Sequence, residues 1–427
     1  MSANPSTVPR SAGAAEPLPP RRNEWLLVAF TGTTNTADAV MRVALPLLVT
    51  RFTTSPALVA AVSIMLSLPW LVTALHIGVL VDRRNRRSLM AGAEFARMVA
   101  IGALALAVVF DIGGLPVIYA VALVLGVAEV VAQLSAASII PAAVPRSRWQ
   151  TVNARLTGTE YVSFSFVGAP IGGFLVAAGF AVALGATGAA YLIGALLLTM
   201  LVGNFTPAPA KERRPARAEI KEGLSFLLGH PLLRSMALLI TVMAGCWAAW
   251  YALIPVYAIG PLHLTAQQYG FLLTCLGAGG VLGTVLVGPV NRLIGRRWAM
   301  FVDIIGTALM VGIPAVLPST PGSAWVIGAA AFAAGIGGTM WTVNSRVITQ
   351  SLVPNEMLGR FNAASRLISW GMLPVAAAVA GGLAQLFGYR IAFGLFAVLC
   401  LLLVYLFLRV ITPGMLDEVD APAEEPA

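Results

Sequence analysis

Charged side chains are scarce in this sequence: Asp, Glu, Lys and Arg make up 11% of its 427 residues, whereas hydrophobic residues make up 58%. The mean hydropathy is +0.86. A water-soluble protein needs a largely polar surface, so this composition excludes the soluble class. The chain is predicted to be an all-α membrane protein. A helix crosses the hydrocarbon with about 20 apolar residues, and about twelve such helices account for nearly the whole length.

Cysteine and histidine are also rare, with three residues of each. Cys246, Cys275 and Cys400 lie inside apolar runs, where small buried side chains are expected and a disulfide framework is not. The sequence has no Cys/His metal cluster, no G-x-x-x-x-G-K-S/T phosphate loop and no nucleophile elbow. We therefore expect neither an enzyme nor direct drive by ATP, and no cofactor or metal.

The formal net charge of +9 reflects where the basic residues lie. All but four of the 27 Lys and Arg residues fall in alternate loops, tails or helix ends; Arg42 and Arg97 lie within spans, and Arg51 and Arg390 on the opposite side. This positive-inside pattern predicts a multi-pass protein of a bacterial-type inner (plasma) membrane with both termini in the cytoplasm. The basicity thus predicts topology, and we expect no nucleic-acid partner.

The two halves of the chain repeat one plan. Pro145 and Pro354, and Asn153 and Asn362, are each separated by 209 residues, as are the glycine pairs at 172–173 and 381–382. This offset predicts an internal duplication, with six helices in each half. The predicted domains are a disordered tail at 1–22, an N-terminal half at 23–204, a cytoplasmic linker at 205–230, a C-terminal half at 231–411 and a disordered tail at 412–427.

A short charged stretch, Gly78 to Arg87, separates the second and third apolar runs. Gly78 would allow close helix approach, and Asp82 could face the positive end of a neighbouring helix, the eleventh, in only one arrangement of the halves. Arg83, Arg86 and Arg87 would hold the loop in the cytoplasm, so the stretch is a conformational gate or a simple topology anchor. A copy at 288–297 lacks the acid.

Several acids are predicted to lie inside the membrane, where a charge must pair or face water. Asp38 and Arg42 are four residues apart in the first span, and Glu94 and Arg97 three apart in the third, so each couple can pair along one helix. Glu129 in the fourth span has no cation near it in sequence and is the first candidate for a proton carrier. Asp303 in the ninth span is interpreted, like Glu94, as structural.

Two further sets of residues are candidates for the transport path. The fifth span contains Gly168, Pro170, Gly172 and Gly173, whose small side chains permit close helix packing. The family resemblance described in the next paragraph implies a central cavity built mainly from spans 1, 4, 7 and 10 and their neighbours, and the apolar faces of that cavity would suit a bulky organic substrate. The candidate lining residues are aromatic, although such residues more often pack than bind: Trp247, Trp250, Tyr251, Trp341 and Trp370.

From about Trp25 to Ile411 the chain resembles the major facilitator superfamily. Residues 78–87 match its signature G-x-L-x-D-R-x-x-R-R, and residues 168–173 resemble its antiporter motif G-P-x-x-G-G with the proline displaced by one. Asp38 after Asn-Thr-Ala, the turn Ile140-Pro-Ala-Ala-Val-Pro, and Asn153-Ala154 resemble the branch of macrolide-efflux and enterobactin-exporter proteins. The fourth-span arginine common in proton-coupled drug exporters is absent, and Glu129 lies near its place.

The resemblance implies a monomeric secondary exporter that alternates its access to the two sides of the membrane. It would move a bulky amphipathic compound, such as an antibiotic, drug or siderophore, by proton antiport, with Glu129, Asp38 and Arg42 as proton-coupling candidates. Three alternatives stay open: a small-solute symporter, a lipid or lysophospholipid flippase of the same fold, and a non-transporting scaffold or sensor.

Overall fold

The computed structural model describes residues 21–81, 83–112, 114–145, 148–206, 216–354 and 357–412. Over these ranges the regular secondary structure is helical, with no strand. Nine helical stretches of the described residues are long and apolar enough to cross a membrane, and one of them, Thr151–Ala178, combines three of the elements below. The helices are α1 (Arg21–Val49), α2 (Pro56–Val72), α3 (Ala74–Val81), α4 (Arg86–Val109), α5 (Leu115–Ala143), α6 (Trp149–Tyr161), α7 (Gly168–Ala178), α8 (Phe180–Thr199), α9 (Ala216–Gly229), α10 (Pro231–Ile259), α11 (Ala266–Val316), α12 (Ser323–Leu352), α13 (Leu358–Phe387) and α14 (Tyr389–Val410).

Four of the predicted spans are built differently from single straight helices. The second is divided into α2 and α3 at Thr73, and the fifth consists of α6, a π-helical turn at Val162–Val167 and α7. The eighth and ninth are joined in the 51-residue α11, which is kinked at Gly295, where φ is 79°. Such a φ favours glycine, and the kink divides α11 into two lengths that can each cross the bilayer. The described elements therefore fit the twelve predicted spans.

Matching contacts in the two halves bear out the predicted repeat. In the N-terminal half Arg87 Nη1 donates to the Leu201 carbonyl at 2.8 Å, beyond the end of α8. In the C-terminal half Arg297 Nε donates to the Ile411 carbonyl at 2.6 Å, beyond the end of α14. The two donors are 210 residues apart, and so are the two acceptors. The same hydrogen bond therefore connects the third and sixth spans in each half.

The halves pack together at the end of the bundle that carries the α1–α2, α10–α11 and α13–α14 connections, which we call the far end. Ser55 Oγ and Gln385 Oε1 are hydrogen-bonded there at 2.6 Å. Gly173 and Gly270 cross so closely that a Cβ added at Gly173 would lie 2.7 Å from the Ala266 carbonyl oxygen. The opposite end, with the two signature-like stretches, is called the signature-loop end.

The predicted linker at 205–230 contains the helix α9, which rests on the C-terminal half. Leu227 is buried against Leu233 and Phe361, and Arg360 donates to Glu222 at 2.9 Å. The residues at 207–215 and both predicted tails, apart from residues at their inner edges, lie outside the described ranges.

Candidate functional site between the two halves

A cavity of about 220 Å³ lies between the two halves. Its walls come from α1, α2 and α5 on one side and from α10, α11 and α13 on the other. Spans 1, 4 and 7 and neighbouring spans line this cavity as expected, whereas α12, the tenth span, contributes none of the described lining residues. Residues of α2 and α13 complete the wall. The lining residues are Arg42, Pro46, Ser63, Leu66, Ser67, Trp70, Glu129, Ala248, Tyr251, Tyr269, Leu273, Trp370, Leu373 and Ala377.

Arg42 and Glu129 line this cavity together, although the sequence placed no cation near Glu129. Arg42 lies over the ring of Phe164, 4.9 Å from its centroid. The two residues project from α1 and α5 within the N-terminal half, and their charges interact. In the described chain no direct ion pair joins Glu129 to an arginine. The cavity thus holds one carboxyl and one guanidinium group among mostly apolar walls.

Asp38 does not form the pair with Arg42 that their spacing allows. Asp38 pairs with Arg97 of α4, whose Nη1 lies 3.4 Å from the Asp38 carboxylate. Tyr191 of α8 donates to Asp38 Oδ1 at 2.7 Å. The same Arg97 Nη1 donates to Glu94 Oε1 at 3.1 Å, so the predicted pair in α4 is confirmed. Arg42 is free to face the cavity because partners from two other helices satisfy Asp38.

This network is almost closed to solvent, since Glu94 and Arg97 are only 0% and 2% exposed. Asp38 differs, with a side chain that is 25% exposed. Charges buried to this extent persist only when paired and hydrogen-bonded. The network therefore holds α1, α4 and α8 together behind the cavity, and Asp38 connects it to the cavity side.

The C-terminal half has a corresponding polar cluster without an arginine. Trp247 Nε1 donates to Thr307 Oγ1 at 3.0 Å, and that hydroxyl donates to Asp303 Oδ1 at 3.3 Å. Asp303 is 2% exposed. Trp247 and Asp303 lie 209 residues after Asp38 and Glu94, so the duplicated positions carry ions in one half and an acid with neutral partners in the other.

Among the five aromatic candidates, the structure places Tyr251 and Trp370 in the cavity wall. Trp250 and Trp341 are 0% and 3% exposed in the core, so their assignment to the lining is wrong in this conformation. Trp247 is also wrongly assigned, because its indole turns to Thr307. On a helix that is buried on all sides, aromatic side chains have apolar neighbours whichever way they point. Residue type alone therefore does not predict which of them face the cavity.

Sequence reasoning missed Trp70 and the two serines beside it. Ser63, Ser67 and Trp70 follow one another at spacings of four and three residues on the same face of α2. Trp70 meets Trp370 edge to face, with ring centroids 4.7 Å apart. The two serines form a polar face on an otherwise apolar run, and this pattern could have indicated the side of α2 that faces the cavity.

The antiporter-like motif forms two close helix crossings. Gly168 and Gly172 face α1, where an added Cβ at Gly172 would lie 3.1 Å from Val40 Cα. Gly173 faces α11 of the other half. Pro170 follows the π-helical turn, in which the Gly168 N–H bonds to the Ser163 carbonyl. Since proline has no N–H, Pro170 leaves the carbonyl of Phe166, in this turn, without its α-helical donor.

The arginines of the signature stretch contact their own half. Arg86 Nη1 donates to the Ser138 carbonyl at 2.7 Å near the end of α5, and Arg87 to the end of α8 as described above. Cations at helix C-termini complement the helix dipole. Arg83 is exposed, and an added Cβ at Gly78 would meet nothing within 4 Å, so the expected close approach is absent in this conformation. Asp82 lies outside the described residues, and its gate role stays a prediction.

A sequence-family comparison matches this chain to the Major Facilitator Superfamily over residues 25–373 and 261–426. It is 25% identical to the multidrug efflux pump Tap of Mycolicibacterium fortuitum over 382 residues, which is 87% of this chain and 92% of that protein. It is 27% identical to the enterobactin exporter EntS of Salmonella typhimurium over 192 residues, 44% of each chain.

The fold is shared with solved transporters at low sequence identity. A variant of the nucleoside transporter NupG superposes with a TM-score of 0.72 at 12% identity, over 91% of this chain and 100% of that one. The family match covers well over half of the chain and agrees with the duplicated helical fold. This chain belongs to the Major Facilitator Superfamily, and it is a membrane transporter and not an enzyme.

Proposed function

We propose that this transporter exports bulky amphipathic compounds, such as antibiotics, drugs or siderophores, in exchange for protons. The observation that carries the proposal is the placement of Glu129 and Arg42 in one cavity between the halves. An acid in such a place can exchange a proton with whichever side the cavity faces. The names of the relatives Tap and EntS, an efflux pump and an exporter, support the direction of transport.

The charges around Glu129 favour an exchangeable proton. Its carboxyl group interacts with Arg42, Asp38, Arg97 and Glu160, and Arg97 also pairs with Glu94. Among the described residues, no arginine forms a direct ion pair with Glu129. An unpaired carboxylate is costly in a low-dielectric interior, so Glu129 is expected to hold a proton when the cavity is closed. Asp38 and Glu94 are paired with Arg97, and Glu160 is exposed, so we take Glu129 as the proton carrier.

The walls of the cavity fit an amphipathic substrate. Trp70, Trp370, Tyr251 and Tyr269 supply flat apolar faces, and Ser63 and Ser67 supply hydroxyl groups. The cavity of about 220 Å³ is below the roughly 300 Å³ at which drug-sized pockets begin. We infer that the halves move apart at the signature-loop end when a substrate enters. With the predicted orientation, the closed far end is the periplasmic side, so this movement would open the cavity to the cytoplasm.

The test is transport by the purified full chain in proteoliposomes. Macrolides, tetracyclines, ethidium and a catechol siderophore are first screened in an efflux-deficient host, and a compound that passes is then followed in vesicles. An imposed pH step is expected to drive the compound against its gradient, and collapse of the step with a protonophore is expected to stop it.

Transport that continues unchanged after collapse of the pH step and shows no ion dependence would contradict antiport. Movement of a fluorescent lysophospholipid under those conditions would instead support the flippase alternative. As a control, empty liposomes and vesicles with Glu129→Gln are subjected to the same pH step, because the amide retains size and hydrogen bonding but cannot carry a proton.

A further inference from the structure

A second pocket lies at the far end of the N-terminal half, away from the transport cavity. Its volume is about 410 Å³. It lies partly open to the surroundings where α1 and α4 end and α5 begins, and Arg51, Phe52 and Asp111 of its lining are exposed. Seven of its nine lining residues have no polar side-chain group, and the other two are charged residues of opposite sign. The lining residues are Leu48, Arg51, Phe52, Leu104, Ala107, Val108, Asp111, Gly114 and Ile118.

Arg51 and Asp111 share this pocket without pairing. In the described part of the chain, neither side chain forms a hydrogen bond or an ion pair, and the single recorded contact is that of Arg51 over the Phe180 ring at 5.5 Å. Two opposite charges that face one pocket and do not meet leave room for a dipolar group between them. Arg51 presents a planar set of donors suited to phosphate, and Asp111 presents acceptors suited to an ammonium group.

The surroundings of the pocket are unusually apolar for an exposed loop. Phe110 and Ile112, on either side of Asp111, are 68% and 74% exposed, and Val109 is 61% exposed. Asp111 itself adopts a φ of 55°, which non-glycine residues rarely adopt. At the end of a membrane helix, exposed apolar side chains of this kind can pack against the acyl chains of lipids.

We propose that this pocket binds one zwitterionic, amine-headed phospholipid of the phosphatidylethanolamine type. Its phosphate would lie against Arg51, its ammonium group against Asp111, and its acyl chains against the wall formed by Leu48, Leu104 and Val108. An anionic headgroup without an amine satisfies Arg51 and repels Asp111, so it fits less well. The site does not rest on the proposed proton antiport, because it is separate from the transport cavity.

Native mass spectrometry of the full chain in detergent tests the proposal. Equal amounts of dioleoyl phosphatidylethanolamine and dioleoyl phosphatidylglycerol are added, and the lipid retained by the protein is counted. The protein is expected to prefer phosphatidylethanolamine by roughly tenfold, as for one charge-assisted contact. Asp111→Asn is expected to bring the ratio of the two lipids close to one, and Arg51→Gln to reduce the retention of both.

Two control variants and one displacement experiment accompany this measurement. Arg390→Gln, at an exposed arginine at the same end of the C-terminal half, is expected to retain the wild-type ratio. Arg51→Lys keeps the charge and is expected to keep most of the lipid, which separates loss of the contact from misfolding. Equal retention of both lipids by the wild type, or a ratio that Asp111→Asn leaves unchanged, would overturn the proposal. Full displacement of lipid by equimolar glycerophosphoethanolamine would also overturn it, because the acyl chains would then contribute nothing.

Discussion

At the residue scale, two carboxyl groups of the N-terminal half have different surroundings. Asp38 is held by Arg97 and Tyr191, whereas Glu129 faces the cavity without a direct ion pair among the described residues. The oxygens of Asp38 are occupied by these contacts, whereas Glu129 remains available to groups that enter the cavity. The roles of the two acids therefore separate.

Glu129→Gln is expected to abolish uphill transport while substrate binding and exchange persist. The amide resembles the protonated acid, so the protein can still bind the substrate and alternate between its two conformations. It cannot carry a proton. Uphill transport is measured under a pH step, and exchange with labelled substrate on both sides and no gradient. Glu222→Gln on α9, outside the cavity, is the matched control. A variant with wild-type uphill transport would remove Glu129 from the mechanism.

A double-mutant cycle distinguishes the two possible partners of Asp38. Asp38→Asn with Arg97→Gln is expected to show a coupling energy of about 1 to 3 kcal/mol in the free energy of unfolding, because each single change strands a buried charge. Asp38→Asn with Arg42→Gln should couple by less than about 0.5 kcal/mol. Unfolding in detergent gives both values. The reverse ranking would restore the pairing within α1.

The two arginine pairings show what spacing in a sequence can predict. The pair of Glu94 with Arg97 was predictable, because residues three apart on a helix are neighbours. The pair of Asp38 with Arg97 joins residues 59 apart on two helices, and it depends on how α1 and α4 pack. Apolar runs fix the helices and their number but leave open which side of each faces the cavity, which is why Trp250 and Trp341 were misplaced.

At the element scale, glycines set how closely helices of the two halves approach at the far end. A Cβ added at Gly381 would lie 2.7 Å from Ala60 Cβ, and one added at Gly270 would lie 2.8 Å from the Ala169 carbonyl oxygen. Gly382, the next residue after Gly381, would meet nothing within 4 Å. The chain thus offers a matched pair of adjacent sites, one at the crossing and one beside it.

Gly381→Ala is expected to weaken the closed far end, and Gly382→Ala to leave it unchanged. Overpacking by one methyl group costs about 1 kcal/mol or more, which shifts the equilibrium between conformations at least roughly fivefold. Spin labels at Ser55 and Gln385, which are hydrogen-bonded in this structure, report the separation. An equal distance distribution in both variants would show that the crossing does not control closure.

The repeated arginine contacts also predict a pair of matched effects. Arg87→Gln and Arg297→Gln each remove a charge-assisted bond to the end of the last helix of their own half. Each is expected to lower the free energy of unfolding by about 1 to 2 kcal/mol, and by similar amounts. Thermal unfolding in detergent measures both. A large loss for Arg87 alone would indicate that the first stretch has a role its copy lacks, as the gate hypothesis for Asp82 requires.

At the scale of the whole molecule, the two halves have diverged from a common plan. The scaffold contacts of Arg87 and Arg297 are repeated, whereas the ionic cluster of the N-terminal half is replaced by Asp303, Thr307 and Trp247 in the other. The charged groups of the proposed mechanism therefore lie in the N-terminal half. The C-terminal half supplies aromatic walls through Tyr251, Tyr269 and Trp370.

The central claim is that a proton on Glu129 and a substrate alternate in the same cavity. The most direct measurement is the pH change when the transported compound is added to the purified protein in weakly buffered detergent solution. The wild type is expected to release close to one proton per molecule, and Glu129→Gln to bind the compound without release. No release from the wild type despite measured binding, or equal release from Glu129→Gln, would contradict the account.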